Sequence, residues 1–174
     1  MKENLQEIQK AIDGDDDAFL RLIQLHKVDL YRTALSYLKN QEEALEAVQE
    51  VTYRSYKEIH TVREAAFIKT WLIRIMINYC NDQLKKDKRL IFHGEIIDLQ
   101  GVSDSHTDME LKDAMSQLDD RSSEILTLKY FNDLKIKDIA IALECPEGTV
   151  KTRLNKALKK LRNKLEEKGG EFHV

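Results

Sequence analysis

One proline, Pro146, stands in 174 residues, and only six glycines accompany it. These two residues are the costly ones inside a helix, so little in this chain interrupts a helix once it has started. No alternating Val/Ile/Thr run offers a strand. The expectation is therefore an all-α protein. At 42% hydrophobic residues, the chain can fill one core or two small ones.

Charge divides it. The stretch GEIIDLQGVSDSHTDME, residues 94–110, holds five acids, two glycines and no Lys or Arg. It reads as a flexible acidic linker between a lobe at 1–93 and a lobe at 111–174. In the first lobe a helix is expected from Asp16 or Asp17, where acids suit an N-terminus. Phe19, Leu22, Ile23, Leu30, Ala34 and Leu38 form its apolar stripe, and Asn40 stops it. A second helix spans about Glu42 to Ile59. Ala44, Leu45, Val48, Val51 and Tyr56 face inward, and Glu42, Glu43, Glu46, Gln49 and Glu50 face outward. HTVREAA reads as a loop or broken turn. The helix after it buries Phe67, Trp71, Leu72, Ile75, Met76, Tyr79 and Cys80. It ends on Lys85, Lys86, Lys88 and Arg89, a run that ordinary helix-dipole chemistry explains on its own.

The second lobe reads as helices at DMELKDAMSQL, DRSSEILTLKYF and KIKDIAIAL, followed by ECPEGTVKTRLNKALKKL. Between Thr149 and Leu161 that last segment has five Lys or Arg and no acid, in a chain of net charge −3. Pro146 ends the preceding helix and suits the start of the next. Val150, Leu154, Ala157, Leu158, Leu161 and Leu165 keep one face apolar. Lys151, Thr152, Asn155, Lys159 and Arg162 take the other. A short helix, a tight turn and a longer basic helix make the order of a helix-turn-helix. In that geometry Lys151, Thr152 and Asn155 reach base edges, and Lys159, Arg162 and Lys164 meet phosphates. The competing reading is a solvated basic face on a bundle helix.

These residues resemble the extracytoplasmic-function (ECF) sigma factors of the sigma-70 family. GTVKTRLNKAL is similar to the family's region-four helix, with Ile139-Ala140, Pro146, Gly148 to Lys151, Arg153-Leu154 and Ala157 matching. EEALEAVQEVTYRSY resembles its region two, with Gln49-Glu50 in place. FIKTWLIRIMINYC matches at Phe67, Trp71-Leu72, Arg74-Ile75 and Asn78, and Asp82 follows in register. The chain departs from the pattern at Glu46, Thr52, Asn155, Lys156 and Leu158; the last removes a phosphate-binding Arg.

The resemblance implies a region-two helical bundle and a region-four helix-turn-helix. It implies binding to core RNA polymerase through Glu46, Gln49 and Glu50. It implies reading and melting of a promoter's minus-ten element by the His60–Ala66 loop and Asn78, with Arg63, Lys69, Arg74, Lys85, Lys86, Lys88 and Arg89 on the DNA. It implies reading of the minus-thirty-five element by Lys151, Thr152, Arg153, Asn155, Lys156 and Lys159, with Arg153 also a brace for the fold. An anti-sigma factor is the further partner it implies. Trp71 is expected in the core rather than as a stacking platform.

A stand-alone helix-turn-helix regulator with a helical effector or dimerisation domain is the alternative. A helical adaptor that never touches DNA is another. No enzyme is expected, and no metal or cofactor, since the five histidines are scattered without zinc-ligand spacing and no phosphate-cradling glycine loop exists. Asp15, Asp16 and Asp17 read as a solvated helix start. Cys80 and Cys145 read as reduced thiols. The start lacks a signal core, and no apolar run nears the roughly 18 residues of a membrane span, so a cytoplasmic protein without membrane insertion is expected.

Overall fold

The computed structural model describes residues 4–90 and 106–169. The chain divides into two compact units, Met1–Ile96 and Ile97–Val174. Among the described residues there are helices and turns but no strand.

In the first unit, α1 (Leu5–Ile12), α2 (Asp16–Leu38), α3 (Gln41–Glu58) and α4 (Ile68–Leu90) pack together, with α2 against each of the other three. Capping sets their starts. Asp15 Oδ1 accepts from the Ala18 N–H at 2.8 Å, with Asp16 and Asp17 in the first turn of α2. Asn40 is expected as the stop of that helix, but its Oδ1 accepts from the Glu43 N–H at 3.1 Å and so begins α3. The stop is Lys39, left-handed at φ 57°, which turns the chain within two residues.

All six expected stripe residues of α2 are buried. On α3 the inward face is rotated. Ala44, Ala47, Val51 and Ser55 are buried, whereas Leu45 is 55% and Tyr56 50% exposed. Small residues let α2 and α3 approach closely, so the larger Leu45 is left outside. On α4 the most buried side chains are Ile68, Leu72, Ile73, Met76, Ile77 and Cys80. Phe67 is 37% exposed, and Trp71, Ile75 and Tyr79 are half-buried. Trp71 thus lies at the edge of the core it was expected to fill. Helix α1 lies outside the sequence expectation, since the acid-rich start hides the apolar pair Ile8 and Ala11, both buried. The HTVREAA segment begins and ends in two single 3-10 turns, Ile59–Thr61 and Ala65–Phe67.

In the second unit, α5 (His106–Ser116), α6 (Asp120–Leu126) and α7 (Ile136–Ala142) each pack against α8 (Glu147–Gly169). The expected linker at 94–110 lies outside the described residues up to 105, and its last five residues belong to α5. A π-turn at Thr127–Phe131 extends α6 and leaves Phe131 36% exposed rather than buried. Asp119 caps α6: its carboxylate accepts from the Ser122 N–H and hydroxyl and from Lys160 Nζ of α8 at 2.5 Å. The Lys160 ammonium and the Ser122 donors hold the Asp119 carboxyl down at about 2. Asp119→Ala removes the cap and the tie to α8, and should cost about 1–2 kcal/mol, read as a lowered urea midpoint by far-UV circular dichroism.

Candidate nucleic-acid and partner interfaces

The start of α8 is shaped by its turn. Helix α7 ends at Ala142, and Glu144 follows in the left-handed region at φ 50°. The Cys145 N–H returns to the Ala140 carbonyl at 3.0 Å. Pro146 has no N–H to lose, and its carbonyl accepts from the Thr149 and Val150 N–H groups at 2.9 and 3.1 Å. The tight turn fixes α7 and α8 as the helix-turn-helix pair. Val150, Leu154 and Ala157 anchor α8 on the core, with Ile139 and Ala140 of α7 also buried.

The opposite face of α8 is open. Lys151, Thr152, Asn155, Lys156, Lys159 and Arg162 are exposed. The Thr152 hydroxyl donates to the Gly148 carbonyl at 2.9 Å, so toward a base edge it offers acceptor lone pairs. A Cβ on Gly148 would meet nothing within 4 Å, so the helix start faces open space. Arg153 is only half-exposed, and its charge acts on Glu124 of α6. Lys160, by contrast, is tied to Asp119. Leu158, counted on the apolar face, is 37% exposed.

The first unit carries two further faces. On α4, Arg74, Asn78 and Lys85 are exposed and fall within roughly 40° of one another on the helix. Asn81, unnoticed in the sequence, lies on the same stripe and is exposed; helical spacing from Asn78 was the available signal. Lys86 is exposed on a neighbouring face, and Arg63 is exposed in the loop. Lys88 and Arg89 belong to α4, but their side chains lie outside the described ones. Lys69 stands apart from these cations. Its Nζ is 2.9 Å from Asp29 Oδ2 of α2, with side-chain exposures of only 23% and 17%. Burial pushes the Asp29 carboxyl up, but hydrogen bonds from His26 and Lys69 outweigh it and hold the group below its usual range. This ion pair ties α4 to α2.

On α3, Glu42, Glu46 and Gln49 form an exposed polar stripe joined by Leu45 and Tyr53, each 55% exposed. Glu50 lies to one side. Its carboxylate holds Arg54 Nε at 2.7 Å, and the Arg54 guanidinium sits 5.1 Å over the Tyr79 ring of α4. Arg54 is a residue that the sequence pattern did not single out. It orients Glu50 and links α3 to α4 next to Asn78.

Burial pushes the Cys80 thiol up to about 12, which keeps it protonated near neutral pH. Among the described residues no group of His, Cys, Asp or Glu could hold a metal, and no helix is long and apolar enough to cross a membrane.

Comparison with known proteins places both units. Residues 22–90 match the family Sigma-70 region 2, and residues 108–161 match Sigma-70, region 4. RNA polymerase sigma factor SigV of Bacillus subtilis (strain 168) is 38% identical over 143 residues, which cover 80% of this chain and 86% of SigV. ECF RNA polymerase sigma factor SigW of the same organism is 28% identical, over 95% of this chain and 96% of its own. In fold, the chain is similar to the sigma factor RpoE in its complex with the anti-sigma factor NepR from Bartonella quintana. That likeness has a TM-score of 0.77 and 22% identity, over 85% of this chain and 96% of the other. CnrH, in complex with the cytosolic domain of CnrY, gives a TM-score of 0.71 and 20% identity, over 94% of this chain and 97% of the other. A stand-alone helix-turn-helix regulator would leave the region 2 match unexplained. The chain belongs to the sigma-70 family, as a promoter-directing RNA polymerase sigma factor of the ECF type.

Proposed function

We propose that this sigma factor divides its work between its two units. Residues 1–93 bind core RNA polymerase and open the minus-ten element. Residues 111–174 read the minus-thirty-five element, and residues 94–110 tether the two. The observation that carries the reading is the exposed face of α8, with Lys151, Thr152, Asn155, Lys156 and Lys159 opposite a buried Val150-Leu154-Ala157 anchor. A helix start presented this way enters a major groove, where side chains meet base edges.

Polymerase binding is assigned to the α3 stripe, with Glu46 and Gln49 in contact and Glu50 oriented by Arg54. A mixed acidic and apolar surface suits a basic partner helix. Asn78 reads an unstacked base, and Arg63, Arg74, Lys85 and Lys86 hold phosphates, together with Lys88 and Arg89 in the last turn of α4. Lys69 serves that unit through its brace to Asp29. The protein works in the cytoplasm by binding alone, with no catalytic step. An anti-sigma factor is its regulator, by analogy with RpoE in its complex with NepR.

The reading is tested by a reciprocal pair. Asn155→Ala with Lys156→Ala should lower run-off transcription about tenfold at promoters selected by the wild type, with polymerase affinity unchanged. Gln49→Ala with Glu50→Ala should lower polymerase affinity and leave DNA binding by α8 intact. Equal losses of both properties in both variants would rule out the division of labour.

A further inference from the structure

We infer that α1 is a positioning element for promoter opening, holding the loop between α3 and α4 in the place from which it captures bases. The inference rests on the proposed role of that loop and names what fixes it.

Residues 5–12 lie ahead of the segment matched to Sigma-70 region 2, which starts at residue 22. Asn4 Oδ1 accepts from the Gln6 N–H at 3.0 Å and starts α1. Ile8 and Ala11 are 3% and 1% exposed. Beyond α2, α1 packs against both single turns that bracket the loop, Ile59–Thr61 and Ala65–Phe67. Within those turns His60, Thr61 and Ala66 are exposed, and between them Arg63 and Glu64.

Local bonds shape each turn. The Val62 N–H donates to the Ile59 carbonyl at 3.0 Å, the Phe67 N–H to the Glu64 carbonyl at 3.1 Å, and the Thr61 hydroxyl to the Glu58 carbonyl at 2.7 Å. Bonds of this kind fix a turn's shape and say nothing of where it sits. Position comes from packing, and α1 touches both ends of the loop at once. Helix α1 is itself held in place. Gly14, at φ 101°, turns the chain back into α2, and the Asp15 N–H closes that turn on the Lys10 carbonyl at 2.9 Å. Glu7 binds Arg21 of α2 at 2.8 Å and Lys10 at 2.6 Å.

Capturing an unstacked base requires an ordered receptor. A loop already in place loses little further freedom on binding, whereas a loose one pays that entropy during opening. Removing the buttress should therefore weaken base capture and spare the α3 surface.

The experiment uses full-length protein with core RNA polymerase, comparing wild type, Ile8→Asp and the milder Ile8→Ala. Three properties are measured: polymerase affinity, permanganate reactivity of thymines in a duplex promoter that the wild type opens, and binding of the polymerase complex to a single-stranded minus-ten oligonucleotide. Ile8→Asp should lower opening and oligonucleotide binding about tenfold, Ile8→Ala by less, and both should keep wild-type polymerase affinity. Unchanged opening overturns the inference. So does a fall in polymerase affinity in step with opening for Ile8→Ala, because α1 then serves only to keep the unit folded. A wild-type complex that opens the duplex but does not bind the single-stranded minus-ten oligonucleotide sinks the underlying assignment of the loop; a wild type that does both, with variants that do so equally well, sinks the role of α1 alone.

Discussion

Leu72→Ala should lower the stability of the first unit by about 3 kcal/mol, within the 2–5 kcal/mol common for such truncations. Leu72 is fully buried on α4, at 0% exposure, beside Ile68, Ile73 and Met76, which are equally enclosed. Its loss removes the transfer free energy of the side chain and leaves a cavity. Neighbours on rigid helices can collapse into that space only in part. The chain offers a reporter for this unit, since its single tryptophan is Trp71, half-buried on α4 next to the substituted residue. Urea unfolding followed by Trp71 fluorescence should show the midpoint falling with an unchanged slope. A midpoint within the error of wild type would mean that Leu72 does not sit in a packed core. The functional consequence is equally specific. A loosened α2–α3–α4 core misplaces the polymerase stripe and Asn78 together, so initiation at elevated temperature should fail first.

Much of this was legible in the sequence for one reason: helical period. The α2 stripe from Phe19 to Leu38 is legible because large apolar residues recur there at core spacing. The α8 face was legible because Val150, Leu154 and Ala157 on one side leave the cations on the other. Where close helix contact selects small residues, the same signal misleads. On α3 the buried positions are Ala44, Ala47 and Ser55, so a reading weighted by hydrophobicity turned Leu45 inward when it faces out. Helix α1 is hard to see because only two buried apolar side chains, Ile8 and Ala11, mark its inner face. Tertiary ion pairs escaped for a different reason. That Lys69 turns to Asp29 and Arg54 to Glu50 and Tyr79 depends on which helices become neighbours, and no local pattern carries that.

Glu124→Gln should stabilise the second unit above neutral pH and remove most of its pH dependence between about pH 5 and about pH 8. Glu124 lies on α6, half-buried, and burial pushes its carboxyl up from 4.5 to about 7, against the smaller opposing pull of Arg153 on α8. The sign follows from where the proton is held. In the unfolded chain the group ionises near 4.5, while the folded chain keeps its proton to about 7. Over that interval the folded state binds more protons than the unfolded one, so stability falls as pH rises. The contribution is complete below about 4.5 and gone once pH has passed about 7. At ~1.4 kcal/mol per pH unit the full span amounts to about 3 kcal/mol, and water at the partly exposed carboxyl brings the expected loss to about 2 kcal/mol. Glutamine keeps the shape and cannot ionise, so the variant should match wild type near pH 5 and exceed it by about 2 kcal/mol near pH 8. Urea unfolding by far-UV circular dichroism at both pH values measures this, and Trp71 fluorescence separates out the first unit. The Arg153 side chain supplies the functional half of the test. Losing the carboxylate removes a negative charge that acts on the Arg153 guanidinium in the second turn of α8. If Arg153 only braces the fold, Glu124→Gln leaves promoter affinity as it was near pH 8. If it also meets phosphate, affinity rises and its salt dependence steepens, by close to one additional released counterion.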